Sequence, residues 1–572
     1  MEYDSHECDV LVIGAGGAGM RAALAALEKG CSVILLSKSV LGKAHTVMAE
    51  GGIAASVANV DSKDDWKVHL KDTITEGDYL GNWRMAEILA KEAPDAVYEL
   101  ERMGALFDRT EDGRIMQRAF GGHTYRRLCH VGDRTGLELI RTLEDRIIHR
   151  NVQVFDETVV TSLAMKNGRV IGAMGFHMRT GMFAAFSAGS VIMATGGLGR
   201  IYKITSNSWE STGDGIALAF GAGAELSDME MVQFHPTGMV WPPAMRGLLV
   251  TEGVRGEGGI LYNSRNERFM LKYSPKKKEL DARDVVARSI YYEIQKGNGT
   301  EHGGVYLDIA YKGRDFIMKK LPGMYAQFME FAGVDITKER MEVAPTVHYF
   351  MGGIRVDPDT CATSVKGLYA AGECAGGLHG ANRLGGNSLA EILVFGKHAG
   401  EHASDYARHA AMQRVGGDAI RKEALRVSRY LSGAKDRVNP YPLVEQLRGN
   451  MQDRLGIIRN RDDMERGLDA VKGIRSRLSK VGVAGTMEFN KGLIECITLE
   501  NMLTLAECMF LSALERKESR GAHTRSDYPK KSRIWKVNIT CTGRNNRIAL
   551  SRRKLTEPPE ELAGMIGEEH YD

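Results

Sequence analysis

The chain has 572 residues, of which 43% are hydrophobic and 26% are charged, and its formal net charge is +3. This length predicts two to four domains of an ordinary globular protein, and the small net charge excludes a nucleic-acid-binding class. The eight cysteines form no C-x-x-C pair, which argues against an iron–sulfur cluster or a zinc site and is typical of a reducing compartment. Because no run of 18 apolar residues occurs, we expect no membrane-spanning segment.

The first predicted unit is a β-α-β unit that begins almost at the first residue. An apolar run (DVLVI, 9–13) precedes GAGGAG (14–19), a helical pattern and a second strand (SVILLSKS, 32–39). The glycines match a dinucleotide-binding fingerprint, in which a tight turn brings backbone N–H groups to a pyrophosphate; a merely glycine-rich turn is the alternative. Since the second strand ends in Ser37 and Lys38 rather than in an acidic residue, simple NAD binding is disfavoured. Because the strand begins so early, we also expect no signal or transit peptide.

Two later stretches are predicted to join the same nucleotide-binding layer. SVIMATGGLG (190–199) is an apolar strand that ends in small residues, and TSVKGLYAAGECAG (363–376) is a strand that ends at Gly372-Glu373. The second stretch resembles the late fingerprint of two-dinucleotide flavoproteins, in which an acidic residue holds the ribityl chain. We therefore predict a discontinuous FAD domain with an insertion. From about residue 404 the apolar spacing becomes helical, and from residue 516 the chain is polar and basic.

Five short segments place His, Arg, Thr or Glu beside glycines or prolines that fix loops, as in an active site at a domain interface. They are QFHPTG (233–238), TEGVRGEGG (251–259), DARD (281–284), VAPTVHYFMGGI (343–354) and HGANRLGGNSLAE (379–391). Taken singly, each histidine would be a packed or capping residue, and Arg283 would be an ion-pair partner of Asp281 or Asp284.

Taken together, these segments resemble the flavoprotein subunit of succinate dehydrogenase and fumarate reductase, the respiratory complex II family. The resemblance runs from residue 9 to about 400 with matching order and continues more weakly through SRGAHTRSDYP (519–529). It implies an α/β fold in which a discontinuous, Rossmann-like FAD-binding domain carries an inserted α+β capping domain. The implied bounds are 1–236 and 345–403 for the FAD-binding domain, 237–344 for the capping domain, 404–515 for a helical domain and 516–572 for a small C-terminal domain.

The resemblance also implies the cofactor, FAD bonded covalently through its 8α-methyl group to His45 of GKAHTVMAEGGI (42–53). By residue type alone, His45 would be a surface or capping residue. The implied cofactor-binding residues are Gly14, Ala15, Gly16, Gly17, Ala18, Gly19, Ser37, Lys38, His45, Thr46, Gly51, Gly52, Asp214, Glu373, Ser388 and Leu389.

The implied substrate is a four-carbon dicarboxylate. His348 and Arg383 would hold one carboxylate, and His235 with Thr251 would hold the other, since arginine can bind a carboxylate in a bidentate fashion. Arg283 matches the family's proton-transfer arginine, and Glu252 and Arg255 match the residues that reprotonate it.

Two departures from the family pattern bear on function. The segment MVWPPAMRGLLV (239–250) is a few residues longer than expected, which would reshape the rim of the capping domain. Glu50 precedes Gly51-Gly52, where dehydrogenase-type members tend to carry Gln and reductase-type members Glu. A carboxylate beside a flavin disfavours added electron density, so Glu50 slightly favours fumarate reduction.

The sequence therefore predicts the flavoprotein subunit of a succinate:quinone oxidoreductase, and the alternative is the corresponding subunit of a quinol:fumarate reductase. L-aspartate oxidase, which normally lacks the histidine at position 45, is a further alternative. A pyridine-nucleotide disulfide reductase would need a cysteine pair and a second fingerprint, and a non-catalytic flavin carrier stays open. The implied partners are membrane anchor subunits and an iron–sulfur subunit. We expect a peripheral location on the cytoplasmic face of a prokaryotic membrane, with the basic tail meeting the iron–sulfur partner or solvent.

Overall fold

The structure, a computed structural model, describes residues 2–431, 437–544 and 547–571. Within these ranges the largest apolar core extends from Cys8 to Ile566, and a second core is formed by residues between Met239 and Val343. This separate core supports the predicted insertion at 237–344, although the domain bounds stay a prediction.

The largest sheet is built around strand Asp4–Ile13, whose apolar residues from Val10 onwards are buried. This strand pairs in parallel with Val33–Leu36 on one side and with Phe183–Met193 on the other, and helix Gly17–Glu28 makes the crossover. An uninterrupted apolar run is typical of such a doubly covered parallel strand. The predicted β-α-β unit is confirmed. The strand order is Gln153–Phe155, Val33–Leu36, Asp4–Ile13, Phe183–Met193, Arg169–His177 and Thr158–Lys166, with Leu368–Ala370 added beside Phe183–Met193.

Both later stretches join this sheet as predicted, since Leu368–Ala370 pairs in parallel with Val191 to Met193. Six longer helices lie in the same part of the chain: Gly17–Glu28, Trp66–Glu76, Trp83–Arg102, Thr135–His149, Asp214–Gly221 and Asn387–His409. Helix Asn387–His409 packs closely on Gly17–Glu28 because Gly400 approaches the backbone of Ala22; a Cβ at Gly400 would lie 2.3 Å from the Ala22 carbonyl oxygen. The predicted bound at residue 403 falls inside this helix.

The residues of the second core form a mixed α and β unit around a four-stranded antiparallel sheet. In spatial order its strands are Val232–Met239, Met341–Phe350, Val305–Asp308 and Ile260–Tyr262. Its helices are Glu252–Gly256, Met270–Tyr273, Arg283–Glu293, Arg314–Lys320 and Pro322–Ala332. The two longest strands contribute to both cores, since Val232 and Phe350 belong to the first and Met239 and Val343 to the second. They therefore carry side chains to the boundary between the two cores.

The predicted helical region contains helices Gly417–Ser428, Pro440–Arg454, Arg461–Arg475 and Lys491–Glu515. Three of them begin at asparagine N-caps, Asn439, Asn460 and Asn490, whose side chains accept backbone N–H bonds. Within the described ranges, Lys491–Glu515 alone is long and apolar enough to cross a membrane, but 67% of its most apolar window is buried inside the protein. That burial favours a core helix.

The C-terminal part forms the hairpin Val537–Arg544 and Arg547–Lys554 and the helix Glu560–Ile566. The remaining short strands are Ile53–Ala54, Gln117–Arg118, Leu128–Cys129, Leu226–Ser227, Gly353–Arg355, Ala375–Gly376, Ile458–Arg459 and Thr524–Arg525. The expectation of a solvated or partner-facing basic tail is wrong for Arg516, Arg520 and Arg525, which are buried and ion-paired. Arg516 Nε, for example, lies 2.6 Å from Glu230 Oε1, because a buried guanidinium requires a carboxylate partner.

Candidate active site

A long cavity opens at the carboxyl ends of strands Asp4–Ile13 and Phe183–Met193, where ligands bind in doubly wound sheets. Thirteen of the predicted cofactor-binding residues line it: Gly14, Ala15, Gly16, Gly17, Ala18, Ser37, Lys38, His45, Thr46, Asp214, Glu373, Ser388 and Leu389. Residues that the sequence did not single out line the same cavity, among them Thr158, Thr195, Ser206, Ser208 and Glu210.

The glycine-rich turn leaves room for a diphosphate. Gly16 is the N-cap of helix Gly17–Glu28 and provides no capping side chain. The N–H of Gly17 donates to Thr46 Oγ1 at 3.4 Å, and Gly17 and Ala18, at the first turn of the helix, line the cavity. Gly14 has a φ of +111°, a conformation that favours glycine. A Cβ at Gly19 would lie 1.8 Å from the carbonyl oxygen of Gly14, so Gly19 permits the close packing of strand and helix and does not line the cavity. The backbone N–H donors at the start of this helix fit the diphosphate of a dinucleotide.

Gly51 and Gly52 also lie outside the lining of this cavity. The carbonyl oxygen of Gly51 accepts a hydrogen bond from Arg118 Nε at 2.8 Å, and Gly52 has a φ of +146° beside the backbone of Cys129. Their place near a flavin stays a prediction.

Lys38 and Asp214 form an ion pair across the cavity wall, with Nζ and Oδ2 2.7 Å apart. Asn501 Nδ2 donates to the other carboxylate oxygen at 2.8 Å. Burial opposes ionisation of Asp214, but Lys38 and these hydrogen bonds outweigh it and lower the pKa of Asp214. Lys38 thus supplies a positive charge where an NAD site would carry an acid.

His45 begins a 3₁₀ turn, His45–Met48, on the cavity wall. The backbone N–H of Ser208 donates to His45 Nδ1 at 3.2 Å, so the lone pair of Nδ1 is engaged. The second ring nitrogen, Nε2, lies 3.3 Å from Asn207 Nδ2. Burial lowers the pKa of His45 to about 4, so the imidazole is neutral at neutral pH.

Glu373 follows strand Leu368–Ala370 and reaches the cavity, where Oε1 accepts from the backbone N–H of Phe350 at 3.0 Å. Burial raises the pKa of Glu373 to about 7. This carboxyl group can therefore accept or donate a hydrogen bond to a polyol chain at neutral pH.

Arg283, Glu252 and Arg255 form a buried ionic chain at the boundary between the two cores. Arg283 Nε donates to Glu252 Oε2 at 2.8 Å, and Arg255 Nη2 lies 3.6 Å from the same oxygen. Gly121 N–H donates to the other oxygen at 2.7 Å. Burial opposes ionisation of Glu252, but the two guanidinium groups outweigh it and lower the pKa of Glu252 to about 2. Glu252 is therefore ionised at all pH values near neutrality, and the three side chains form a charged network.

The local interpretation of Arg283 as a partner of Asp281 or Asp284 is wrong, since Asp284 pairs with Arg288 at 2.7 Å and Asp281 faces Lys277 at 3.6 Å. Arg283 is instead the first residue of helix Arg283–Glu293, which aims its side chain towards Glu252.

Two imidazoles, those of His235 and His348, lie side by side on the neighbouring strands Val232–Met239 and Met341–Phe350. Their ring centroids are 5.1 Å apart. His235 Nδ1 contacts the backbone of Thr237, and His348 Nδ1 lies 2.9 Å from Ser206 Oγ, so each ring presents Nε2 to a ligand. Burial lowers both pKa values well below the ordinary value, which makes both rings neutral donors or acceptors.

Arg383 lies over the ring of Tyr349, with the guanidinium carbon 4.6 Å from the ring centroid, and donates to Ser388 Oγ at 2.8 Å. Its buried Nε has no hydrogen-bond partner in the described residues. Burial and the nearby Arg283 lower the pKa of Arg383 to about 9. A buried cation with an unpaired donor is suited to an anionic ligand.

Thr251 is the N-cap of helix Glu252–Gly256, and its Oγ1 accepts from Gly253 N–H at 3.2 Å. This short helix places Thr251 next to Glu252, the acid of the buried ionic chain. The longer preceding segment, 239–250, carries Trp241 at the surface, where it stacks on His302 with a centroid distance of 4.3 Å.

Several side chains that the sequence did not single out position these groups. The segment 206–208 contacts the imidazoles of His45 and His348 through Ser208 N–H and Ser206 Oγ, and Asn207 Nδ2 also donates to the backbone carbonyl oxygen of His348 at 2.9 Å. Arg283 Nη1 donates to Gln233 Oε1 at 3.2 Å. Gln233 lies within the motif QFHPTG, so the signal was present; segment 206–208 lies in no recognised motif.

Tyr349 belongs to a second buried network. Its Oη donates to Glu391 Oε2 at 2.5 Å, and His379 Nε2 lies 3.0 Å from the same oxygen. These residues also lie within recognised motifs. They fix the ring on which Arg383 rests.

Glu50 has a buried carboxyl oxygen without a hydrogen-bond partner among the described residues. Burial, reinforced by Asp133, raises its pKa well above the ordinary value, which Arg118 only partly offsets. The neighbouring Ala49 lines the cavity.

Comparisons with known proteins agree with this geometry. Residues 9–389 match the FAD binding domain family, and residues 444–560 match the family described as fumarate reductase flavoprotein C-term. The chain is 47% identical to a subunit of the fumarate reductase (CoM/CoB) from Methanothermobacter marburgensis, over 94% of this chain and 98% of that protein. It is 39% identical to the succinate dehydrogenase flavoprotein subunit of Rickettsia bellii, over 94% of this chain and 93% of that protein.

Among solved structures, Mycobacterium smegmatis Sdh1 in complex with UQ1 is 49% identical and superposes with a TM-score of 0.89, over 98% of this chain and 96% of that chain. These matches cover nearly all of the chain and confirm the predicted fold class and family. The chain therefore belongs to the FAD-dependent flavoprotein subunits of succinate dehydrogenases and fumarate reductases.

Proposed function

We propose that the chain is the flavoprotein subunit of a succinate:quinone oxidoreductase, which oxidises succinate to fumarate and passes the electrons to an iron–sulfur subunit. The main support is the buried ionic chain around Glu252 beside Arg383 and two neutral imidazoles. Among Arg255, Arg283, Arg383 and Glu252, three cations accompany one carboxylate. A small dianion would balance the remaining positive charge, which is costly to bury alone.

Each end of the dicarboxylate has its own donors in this proposal. Arg383 and His348 hold one carboxylate, and His235 and Thr251 hold the other. Two fixed ends orient the central carbons between them, which lowers the entropic part of the barrier. Arg383 brings an Nε donor that is unpaired in the described residues.

Arg283 is proposed to hold or move the proton on the second central carbon. A guanidinium group is ordinarily always protonated. Arg283 therefore needs a neighbouring charged group that compensates the change of charge when it gives up or takes up a proton. Glu252 Oε2, 2.8 Å from Arg283 Nε, provides that carboxylate, and Arg255 continues the path. The relay moves protons without admitting bulk water.

FAD, when bound, supplies the two-electron acceptor that no side chain offers. Gly14 to Gly19 are proposed to hold its pyrophosphate, Ser37 and Lys38 its adenosine side, and Glu373 its ribityl chain. The residues proposed near its ring system are Thr46, Gly51, Gly52, Asp214, Ser388 and Leu389.

We further propose that His45 is the covalent attachment point, where a bond from Nε2 to the 8α carbon would replace one hydrogen on each atom and the flavin itself would take up the two electrons released. The ring is neutral because its pKa is about 4, and Nδ1 accepts the N–H of Ser208, which leaves Nε2 for the bond. A tether prevents loss of the cofactor and makes the flavin a stronger oxidant, as succinate oxidation requires.

The electrons have to leave this chain, whose sequence has no C-x-x-C pair for a cluster. We therefore propose membrane anchor subunits and an iron–sulfur subunit for the partners, with a peripheral location on the cytoplasmic face of a prokaryotic membrane.

The reverse activity, fumarate reduction, is the second candidate. Glu50 favours it, and so does the similarity to the fumarate reductase of M. marburgensis. L-aspartate oxidase remains a third candidate, against which the histidine at position 45 argues.

The test is an assay of the purified complex in both directions, with an artificial acceptor for succinate oxidation and a reduced dye for fumarate reduction. We expect turnover in both directions, and the ratio of rates gives the favoured one. A denaturing gel should show flavin fluorescence on the band of this chain, and His45→Ser should abolish it while native protein retains FAD. A fully FAD-loaded complex that turns over neither dicarboxylate would contradict the proposal, and L-aspartate oxidation without a fluorescent band would support the third candidate.

A further inference from the structure

A cluster of two imidazoles and a carboxylate lies on the large sheet, and its three residues do not line the cavity described above. Asp4 and His6 are two residues apart on strand Asp4–Ile13, and His177 ends strand Arg169–His177. One ligand atom from each residue lies within 4.8 Å of the other two, and His177 Nε2 is 3.8 Å from Asp4 Oδ2. The proposed dicarboxylate chemistry uses none of these side chains.

The hydrogen bonds around His177 determine which ring nitrogen faces the cluster. The hydroxyl of Thr158 donates to the carbonyl oxygen of Asp156 at 3.2 Å, so Thr158 Oγ1 accepts from His177 Nδ1 at 2.9 Å. This arrangement puts the proton on Nδ1 and leaves the lone pair of Nε2 facing a carboxylate. Two lone pairs that face each other call for a cation between them.

His6 supplies an independent observation. Its Nε2 is buried and has no hydrogen-bond partner in the part of the chain that the structure describes. The ring packs with Phe155 and Phe186 in a cluster of three rings, with centroid distances of 4.5 and 5.2 Å from His6 and 5.2 Å between the two phenylalanines. A buried, unpaired imidazole nitrogen is costly unless a ligand satisfies it.

We propose that Asp4, His6 and His177 bind one divalent transition-metal cation of the zinc type. Two imidazoles and one carboxylate suit zinc rather than magnesium or calcium, which prefer oxygen ligands. Bonds of about 2.0–2.2 Å require the three ligand atoms to move together by roughly 1 Å. Asp4, whose side chain is 45% exposed, opens the fourth position to water.

Such a site would be structural. It would join the start of strand Asp4–Ile13 to the end of strand Arg169–His177 across the strand between them, Phe183–Met193. The hydrogen bond from His177 to Thr158 matches the support that metal-binding histidines usually receive from an outer partner. The cysteine pattern, which argued against zinc, carries no information about a His and Asp site.

The test uses the full, FAD-loaded chain after removal of metals with a chelator. Titration with Zn²⁺ in a calorimeter should show one tight equivalent per chain, and affinity should fall at least about 100-fold in His177→Ala and His6→Ala. His149→Ala, a change at an exposed histidine elsewhere, should leave the titration unchanged. Saturating Zn²⁺ should raise the thermal midpoint of the wild type but not that of His177→Ala, because a ligand stabilises only the state that binds it.

Asp4→Asn keeps the test meaningful if a histidine variant fails to fold, since Asp4 is half-exposed; its affinity should fall at least about tenfold. Anomalous scattering at the zinc edge should then place the ion between these residues. Equal zinc titrations in the wild type and all three variants, or no equivalent bound below millimolar Zn²⁺, would overturn the inference.

Discussion

Arg283 Nε donates to Glu252 Oε2 at 2.8 Å although the two residues are 31 positions apart in the chain. Each is the first residue of a helix, Arg283–Glu293 and Glu252–Gly256, so the two helix starts meet at this bond. A carboxylate at a helix N-terminus is stabilised by the helix dipole, and the guanidinium adds to that effect. The pair is therefore preorganised before any substrate arrives.

Arg283→Lys and Glu252→Gln should each lower kcat for succinate oxidation by about 10²- to 10⁴-fold, the usual contribution of a general acid–base group. KM should change only a few-fold, because the proposed carboxylate-binding residues His235, His348 and Arg383 are unchanged. Steady-state kinetics with an artificial acceptor measures both constants.

The matched control for this change is Arg314→Lys, at an exposed arginine, which should leave kcat unchanged. Since the pKa of Glu252 is about 2, its carboxylate persists between pH 5 and 9, and its loss begins only as the pH falls towards 2. If Glu252→Gln showed the kinetics of the wild type, Glu252 would have no part in the proposed proton path.

Tyr349 should matter through its ring rather than its hydroxyl. Tyr349→Leu removes the surface under Arg383, and a buried cation–π contact is worth about 2 kcal/mol. KM for succinate should therefore rise about 30-fold. Tyr349→Phe keeps the ring and should change KM much less, because His379 still contacts Glu391. A larger effect of Phe than of Leu would assign the role to the hydroxyl and its network.

Much of this arrangement was predictable because its signals are local. The strand, glycine turn and helix at 9–28 follow from neighbouring residues, whereas the common site of His235, Glu252 and Arg383 was implied by the family resemblance. Contacts between distant segments were not predictable in the same way. Sequence neighbours suggested Asp284 for Arg283, whereas folding brings Glu252.

The polar tail shows the same limit. Arg516 looks solvated in sequence because its partner Glu230 lies 286 residues earlier. Segment 206–208 has no charged residue or glycine to draw attention, yet it contacts both His45 and His348. Contacts made through backbone groups depend little on residue type, so the sequence does not predict them.

With FAD placed as proposed, Glu50 should add to the pH dependence of the flavin potential. Burial raises the pKa of Glu50 well above the ordinary value of a glutamate. The group is therefore neutral at low pH and becomes a carboxylate as the pH rises through this raised pKa. A negative charge beside the flavin lowers the flavin potential. The potential of the wild type should therefore fall more steeply with pH than that of Glu50→Gln.

Spectroelectrochemical titration at several pH values measures this difference. Glu445→Gln, at a carboxyl that is 60% exposed, is the matched control and should follow the wild type. Parallel curves for the wild type and Glu50→Gln would mean that Glu50 does not titrate next to the flavin.

Gly400 lies in helix Asn387–His409, which carries Ser388 and Leu389 to the cavity, and its replacement by alanine tests the packing of that helix. Gly449, in another helix, provides the matched control. A Cβ at Gly400 would lie 2.3 Å from the Ala22 carbonyl oxygen, whereas a Cβ at Gly449 would meet nothing within 4 Å. Gly400→Ala should thus force the two helices apart and reduce the free energy of unfolding by about 1–3 kcal/mol. Gly449→Ala, inside helix Pro440–Arg454, should instead add about 0.5–1 kcal/mol, because alanine loses less backbone entropy. Thermal unfolding of the FAD-loaded chain, followed by circular dichroism and flavin release, compares the two; a midpoint raised by Gly400→Ala would show that the helices are not in the close contact described.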